Sequence, residues 1–255
     1  MASDRSIAQR LAPIHDLIDS LRDDVPVHGT LGPFRYLIAL EDDSPFPSGN
    51  RNRVRWYGGD PDEALFDHII GRYDAYDIER WFLHAHDAPR RTQLIDLAER
   101  YGLEEFDGPS YPVLMHSLAH IPEIVTRYRI ETIDHLTPVA IALLGGPMDG
   151  PIAAKLVSRA DTRFFAAYLN ETLIAVAGVL IDDGTAYLGW AATREDQRGN
   201  GAHQALIAAR LTHARERKCS CALVETISML TRSLSNLETM GFREVYHRVV
   251  MQHGG

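Results

Sequence analysis

The sequence contains very little cysteine, with Cys219 and Cys221 as the only two among 255 residues. Two cysteines separated by one residue rarely form a disulfide, and no further cysteine accompanies them to complete a metal site. The cysteines therefore predict two reduced thiols and a cytoplasmic location, rather than a disulfide-bonded secreted domain.

Long apolar segments and an excess of positive charge are also missing. No apolar run approaches the roughly 20 residues that cross a bilayer, and residues 1–10 contain no apolar core of a secretory signal. Lys and Arg total 26 against 35 Asp and Glu, which gives a formal net charge of -9. That charge disfavours a general binder of nucleic acids or anionic membranes, so we expect neither as a partner.

The chain instead has an ordinary globular composition and is organised around the stretch from Ala186 to Arg217. Hydrophobic residues make up 45%, and 255 residues suffice for one large domain or two small ones. Residues 186–193 are small, aromatic and apolar, which predicts a central strand covered on both faces. The polar residues 194–201 predict a turn. The three- and four-residue periodicity that follows predicts a helix, which carries Leu206, Ile207, Ala209, Arg210, Leu211 and Ala214.

The turn has the composition of a phosphate-binding loop. Gly199 and Gly201 allow positive φ and a close approach of the backbone, and Arg198 adds a positive charge. The first N–H groups of the following helix lack internal acceptors and lie at the positive end of the helix dipole. These features suit a phosphate or pyrophosphate. An ordinary strand-to-helix turn without a ligand is the alternative that the two glycines by themselves leave open.

This loop resembles the acyl-CoA pyrophosphate loop of the GNAT superfamily of N-acetyltransferases. That motif consists of Arg or Gln, two residues, Gly, one residue, and then Gly or Ala. Arg198 and Gly201 match it, whereas His203 departs from the small residue at the last position. The order of elements after the loop also fits: a helix, a strand from Cys221 to Ile227, a second helix, and Gly241-Phe242 opening a last strand. The resemblance covers about the second half of the chain.

The resemblance implies acetyl-CoA as a co-substrate that is held mainly by backbone amides. The implied ligands of the pantetheine and the thioester carbonyl are the amides of Ala191, Ala192 and Thr193. Those of the pyrophosphate are the amides of Arg198, Gly199, Asn200, Gly201, Ala202 and His203. Metal is not expected. His84 with His86, and His116 with His120, have spacings that could start a metal site, but ordinary polar packing is favoured because no Cys or carboxylate pattern accompanies them.

The catalytic groups are less clearly marked than the loop. Glu225, on the strand after the helix, is the first candidate for the base that deprotonates the amine, and a surface or ion-paired carboxylate is the alternative. Many family members carry a tyrosine four residues before the Gly-Phe pair, as the acid for the leaving thiolate, but this sequence has Leu237 there. Asn236 beside it is a candidate to bind the pantetheine or the thiol. Tyr246 is a candidate substitute acid, with a packed core residue as the alternative.

The first half of the chain repeats the element order of the second half in a weaker form. Residues 99–105 parallel residues 238–244, which indicates a degenerate internal duplication. Where the second copy has its glycine loop, the first has Gly58-Gly59-Asp60-Pro61. Asp60, the predicted N-cap of the next helix, would repel a pyrophosphate, and Pro61 has no amide to donate. We therefore expect the first copy not to bind CoA.

Taken together, the sequence predicts an α/β (α+β) protein with two GNAT-like mixed β-sheets flanked by helices. A degenerate copy is expected over residues 1–125 and a complete N-acetyltransferase domain over residues 130–255. The predicted reaction moves an acetyl group from acetyl-CoA to a primary amine of a small molecule. Two alternatives stay open: a CoA-binding sensor or structural protein without turnover, and an acetyltransferase that modifies a protein. The oligomeric state also stays open, with a homodimer among the options.

Overall fold

We describe residues 5–23, 25–40, 51–145 and 150–254 in a computed structural model of the chain. The elements in chain order are α1 (Ile7–Ser20), β1 (Val27–Leu31), β2 (Phe34–Ile38), β3 (Arg53–Trp56), α2 (Glu63–Asp74), β4 (Trp81–Ala85), α3 (Arg91–Arg100), β5 (Glu104–Glu105), β6 (Tyr111–His116), β7 (Arg129–Ile133), α4 (Pro138–Leu143), α5 (Gly150–Leu156), β8 (Thr162–Leu169), β9 (Thr172–Asp182), β10 (Thr185–Thr193), α6 (Ala202–Glu216), β11 (Cys221–Glu225), α7 (Thr231–Thr239) and β12 (Arg243–His253). None of these described helices is long and apolar enough to cross a membrane.

The chain divides into two compact units. The N-terminal unit contains the described residues up to 112 together with those from 246 onward, and the C-terminal unit contains residues 113–245. These compact units do not coincide with residues 1–125 and 130–255, because the end of β12 packs with the N-terminal unit and the end of β6 with the C-terminal unit. The duplication inferred from the sequence, with its two domains, stays a prediction.

In the N-terminal unit the strand order is β1-β2-β3-β4-β12, and β5 pairs with β12. Only β3 and β4 run parallel; the other pairs are antiparallel. One face of this sheet is apolar, with Trp56 and Leu83 packing in the same buried cluster as Phe66 of α2 and Leu94 of α3. The mixed sheet flanked by helices that the sequence predicts for this half is therefore present.

Helix α1 begins after a capping box at Ser6, and the chain continues helically through Pro13. One helix start in the N-terminal unit differs from the sequence interpretation. The predicted N-cap at Asp60 is wrong: Asp62 caps α2, with its carboxylate accepting the N–H groups of Ala64 at 2.8 Å and Leu65 at 3.3 Å. Asp60 forms an ion pair with Arg90 instead. Of the two nearby acids, only Asp62 directly precedes the first helical residue and reaches its free amides.

In the C-terminal unit the strand order is β6-β11-β10-β9-β8-β7. Within it β10 and β11 are parallel and the other neighbours are antiparallel. Helix α6 buries Leu206, Ile207 and Leu211 in one cluster with Ala186 and Leu188 of β10. The predicted core strand, helix and following strand are confirmed here as β10, α6 and β11. The sheet thus presents the ends of β10 and β11 beside the first turn of α6.

Candidate functional site

Strands β10 and β11 pair only over part of their length. Their parallel pairing runs from Thr185 with Cys221 to Tyr187 with Leu223. Strand β10 then continues to Thr193, and β11 ends at Glu225. The final residues of β10 therefore lie beyond the ladder with β11, and their backbone groups on that side are not used in pairing with β11. A strand edge of this kind can bind an extended ligand through main-chain hydrogen bonds.

A β-bulge sets which amides of β10 face this edge. Gly189 lies opposite Gly178 and Ala192 opposite Val176, so three steps along β10 match two along β9. The extra residue reverses the alternation of everything after it. Beyond the bulge, the Arg194 N–H donates to the Ile174 carbonyl of β9 at 2.9 Å. Since successive N–H groups of a strand alternate in direction, the amide of the preceding residue, Thr193, points away from β9 toward the parting of β10 and β11.

The bulge also places a bulky residue in an uncommon conformation. Trp190 has a φ of 48°, in the left-handed region that large side chains rarely adopt. Its indole lies 6.1 Å from the Tyr187 ring and 6.2 Å from the Phe164 ring, measured between centroids. Strained backbone of this kind persists only where neighbouring structure holds it, and it is concentrated at functional sites.

The predicted glycine loop adopts the conformation for which its glycines were singled out. Gly199 and Gly201 have φ values of 82° and 84°, and a Cβ added at either one would meet no atom within 4 Å. Gly201 is the N-cap of α6, where no side chain caps the helix among the described residues. The first intrahelical bond runs from the Ala205 N–H to the Gly201 carbonyl at 3.0 Å. The amides before it are therefore left to solvent or to a ligand.

The loop and the edge of β10 line one cleft of about 810 Å³. Of the predicted cofactor-binding residues, the lining includes Ala191, Ala192, Thr193, Arg198, Gly199, Gly201, Ala202, His203 and Asn236. Asn200 is the exception, because it does not line the cleft and its side-chain amide donates to the Gln197 carbonyl at 3.3 Å. The structure thus brings together residues from three elements, although their role as ligands stays a prediction.

Charge at the cleft comes from residues that the sequence analysis only partly identified. Arg198 lies 3.9 Å from Glu195, and its side chain is 55% exposed, so the guanidinium is available to an anion. Arg194 instead makes two bonds to Asp196, at 3.1 and 3.0 Å, and does not line the cleft. Arg232, at the start of α7, lines the cleft and was missed. Its only sequence signal is its place in the helix after the predicted strand, which does not distinguish it from a surface arginine.

His203, which departs from the loop motif, forms a hydrogen bond with Asn236 of helix α7. The Nδ1 atom of His203 lies 3.1 Å from Nδ2 of Asn236, so the amide donates and the imidazole accepts. Burial, with the nearby charge of Arg210, lowers the pKa of His203 to about 4. His203 is therefore neutral at physiological pH, as an acceptor must be. Leu237, at the position of the missing tyrosine, is 2% exposed and packs in the core.

We expect His203 to make the stability of the protein depend on pH. The folded pKa of about 4 lies below the roughly 6.5 of an unfolded histidine, so the unfolded state takes up the proton first. The free energy of unfolding should therefore fall as pH drops from about 6.5 toward 4. Urea unfolding at pH 7 and pH 5 measures this fall. In His203→Asn, which keeps an acceptor for Asn236, the free energy of unfolding should fall by about 1 kcal/mol or more less than in the wild type.

The exposed His135 offers a matched control for this measurement. His135→Asn should lose stability between pH 7 and pH 5 as steeply as the wild type does. Burial also lowers the pKa of His84 and of His213, so part of the wild-type slope should remain in His203→Asn. If stability depends on pH as steeply in His203→Asn as in the wild type, the folded protein protonates His203 as readily as the unfolded chain does, and the lowered pKa is wrong.

The candidate base lies at the end of β11. The Tyr187 hydroxyl donates to Oε2 of Glu225 at 3.3 Å, and Glu225 is partly buried. It does not line the cleft of the glycine loop. Its position two residues beyond the last β10–β11 pair nevertheless places it where those strands have parted. Its role as base stays a prediction.

Tyr246 belongs to the N-terminal unit, where its hydroxyl lies 2.9 Å from Nδ1 of His86. His84 and His86 are both buried, and the Leu118 N–H donates to Nδ1 of His116 at 2.9 Å. Across the parts of the chain that are described, no group of three or more His, Cys, Asp or Glu residues is arranged to hold a metal ion. The role of Tyr246 as a substitute acid stays a prediction.

The element order agrees with what comparisons with known proteins find. Residues 139–242 match the family model described as "Acetyltransferase (GNAT) family". This match includes all the predicted cofactor-binding residues and Glu225, but not Tyr246.

Solved structures share this fold over nearly the whole chain. A GCN5-related N-acetyltransferase from Kribbella flavida superimposes with a TM-score of 0.68 and 16% identity, covering 98% of this chain and 96% of that one. A tandem GNAT protein from the clavulanic acid biosynthesis pathway gives a TM-score of 0.65 and 15% identity, covering 93% of this chain and 86% of that one. At these identities the likeness concerns the fold.

One curated relative is named as a different kind of enzyme. The ribosomal RNA small subunit methyltransferase H of Micrococcus luteus is 26% identical over 159 residues, which is 54% of this chain. The match spans 42% of that protein, so this chain corresponds to less than half of its length.

Proposed function

We propose that the chain, whose residues 139–242 match the GNAT acetyltransferase family model, is an acetyl-CoA-dependent N-acetyltransferase acting on a primary amine of a small molecule. The single observation that supports this best is the shared cleft: the uncapped first turn of α6 and the free edge of β10 both line it. The first suits a diphosphate and the second an extended amide chain, which are the two ends of a CoA thioester.

Each part of the cleft has a proposed task. The amides of Gly201, Ala202 and His203 bind the pyrophosphate, and Arg198 neutralises part of its charge. The β10 edge holds the pantetheine, and the Thr193 amide donates to the thioester carbonyl. A donor aimed at that oxygen stabilises the negative charge that develops on it during attack.

In the proposed reaction, Glu225 removes a proton from the ammonium group, directly or through a water. The neutral nitrogen attacks the thioester carbon, the C–N bond forms, and the C–S bond breaks with its electron pair leaving on sulfur. The nitrogen, positively charged after the attack, loses a second proton as the amide forms. Of its two lost protons, the thiolate takes up one and the other passes from Glu225 to solvent. Asn236 is the candidate to stabilise that sulfur.

The N-terminal unit is proposed to be a degenerate copy that does not bind CoA. The contrast between the two helix starts supports this: the carboxylate of Asp62 already accepts the first free amides of α2, whereas no side chain of the described ranges caps those of α6. A diphosphate at α2 would have to displace that carboxylate and would meet its negative charge. Pro61 in addition offers no N–H.

The second candidate is a CoA-binding sensor without turnover, which the buried Leu237 favours because it occupies the position of the family's proton donor. One experiment separates the two. Acetyl-CoA is titrated into the protein by calorimetry, and thiol release is then followed with a panel of small amines, a lysine peptide and an amine-free control. Saturable binding with thiol release for a small amine is the expected result. Release with the peptide alone would indicate a protein acetyltransferase, binding without any release would favour the sensor, and no binding would overturn both candidates.

A further inference from the structure

Helix α6 buries an arginine whose charge is balanced by no carboxylate in the part of the chain that the structure describes. Arg210 is 2% exposed, and burial lowers the pKa of its guanidinium to about 9, with no acidic neighbour among the described residues to raise it. Removing a charge from water without an opposite charge costs several kcal/mol unless fixed dipoles replace the lost hydration. An aliphatic side chain at this core position would avoid that cost, so the arginine needs an explanation.

The hydrogen bonds of Arg210 point to one place in the sheet. Its Nε donates to the Leu206 carbonyl at 3.1 Å within α6, and its Nη1 donates to the carbonyls of Gly178 at 3.2 Å and Gly189 at 3.4 Å. Gly178 and Gly189 face each other as the last regular pair of β9 and β10 before the bulge. A guanidinium fork can reach two carbonyls on adjacent strands at once, and bonds from a charged donor are stronger than neutral ones.

We propose that Arg210 is a positioning residue that fixes the β10 bulge and thereby aims the Thr193 amide into the cleft. A strand with one extra residue can shift that residue along its length, and each shift changes which amides face the free edge. Donation to the Gly189 carbonyl holds the start of the bulge in place, and Trp190 then keeps its left-handed conformation. The guanidinium does not line the cleft, so it acts through the backbone of β10.

The catalytic part of this inference rests on the proposed acetyl transfer, whereas the structural part does not. Arg210→Met keeps the volume and apolar stem but removes the donors. We expect its kcat to fall about tenfold, because the Thr193 amide is then less well aligned with the thioester oxygen. The acetyl-CoA Kd should stay within threefold of wild type because the glycine loop is intact. The hydrogen exchange of the Arg194 amide, which bonds to β9 just beyond the bulge, should become at least tenfold faster.

Two further variants make the test decisive. Leu211→Met changes the neighbouring buried residue of α6 by a volume-conserving swap and should leave kcat and Arg194 exchange unchanged. Arg210→Lys keeps the charge but not the branched guanidinium, so kcat should fall and Arg194 exchange should rise by at least threefold each. This variant tests the proposal if Arg210→Met does not fold. Arg194 exchange and kcat within twofold of wild type in either folded variant would overturn the proposal. If the wild type itself acetylates no amine, the proposed function fails, and Arg194 exchange alone tests whether Arg210 fixes the bulge of β10.

Discussion

Gly201→Val is expected to weaken acetyl-CoA binding at least 100-fold while the protein stays folded. Gly201 has a φ of 84° at the N-cap of α6, a conformation that costs a β-branched residue about 1–2 kcal/mol or more. Valine can avoid the strain only by rotating the backbone, which turns the amides of Ala202 and His203 away from their present directions. If valine instead keeps the conformation, its side chain enters the cleft that Gly201 lines. Either outcome removes the proposed pyrophosphate site.

The hairpin turn between β9 and β10 provides a matched control for this substitution. Gly184 has a φ of 72°, and a Cβ there meets no atom within 4 Å, as at Gly201. Gly184→Val therefore introduces comparable strain outside the cleft and should lower the thermal unfolding temperature by a similar amount with an unchanged Kd. Calorimetric titration with acetyl-CoA measures both variants. Normal binding by a folded Gly201→Val protein would mean that the loop is an ordinary turn, as the two glycines alone allow.

Glu225→Gln is expected to lower kcat about 100-fold with an acetyl-CoA Kd within threefold of wild type. General-base catalysis contributes about 10²–10⁴-fold, and glutamine keeps the shape of the side chain and an acceptor for the Tyr187 hydroxyl but cannot take a proton. Since Glu225 does not line the cleft of the glycine loop, binding of the nucleotide part should not depend on it.

The exposed Glu216 of α6 is a control for the loss of one carboxylate. Glu216→Gln should keep the wild-type kcat and its pH profile. Steady-state thiol release over pH 6 to 9, with saturating amine, compares the three proteins. A Glu225→Gln enzyme with wild-type kcat and pH profile would remove Glu225 as the base and return it to the role of a hydrogen-bonded strand residue.

Local features of the chain could be predicted because they depend on neighbours in sequence. The three- and four-residue periodicity of α6 and the apolar run of β10 identify both elements, and the spacing of Arg198, Gly199 and Gly201 identifies the loop between them. The periodicity even places Arg210 on the same face as Leu206. It does not show what a buried guanidinium bonds to, because the Gly178 and Gly189 carbonyls belong to strands distant in the chain.

By itself, the sequence determined the type and order of nearly all the elements, the glycine turn before α6, and the candidates for ligand and base. Only the tertiary structure decided where β10 and β11 part, where the extra residue of β10 sits, that Asp62 rather than Asp60 caps α2, and that β12 ends in the N-terminal unit. The physical reason is the range of the interactions. Periodicity and turn chemistry act over a few residues, whereas pairing register and the satisfaction of a buried charge depend on backbone groups that folding brings together.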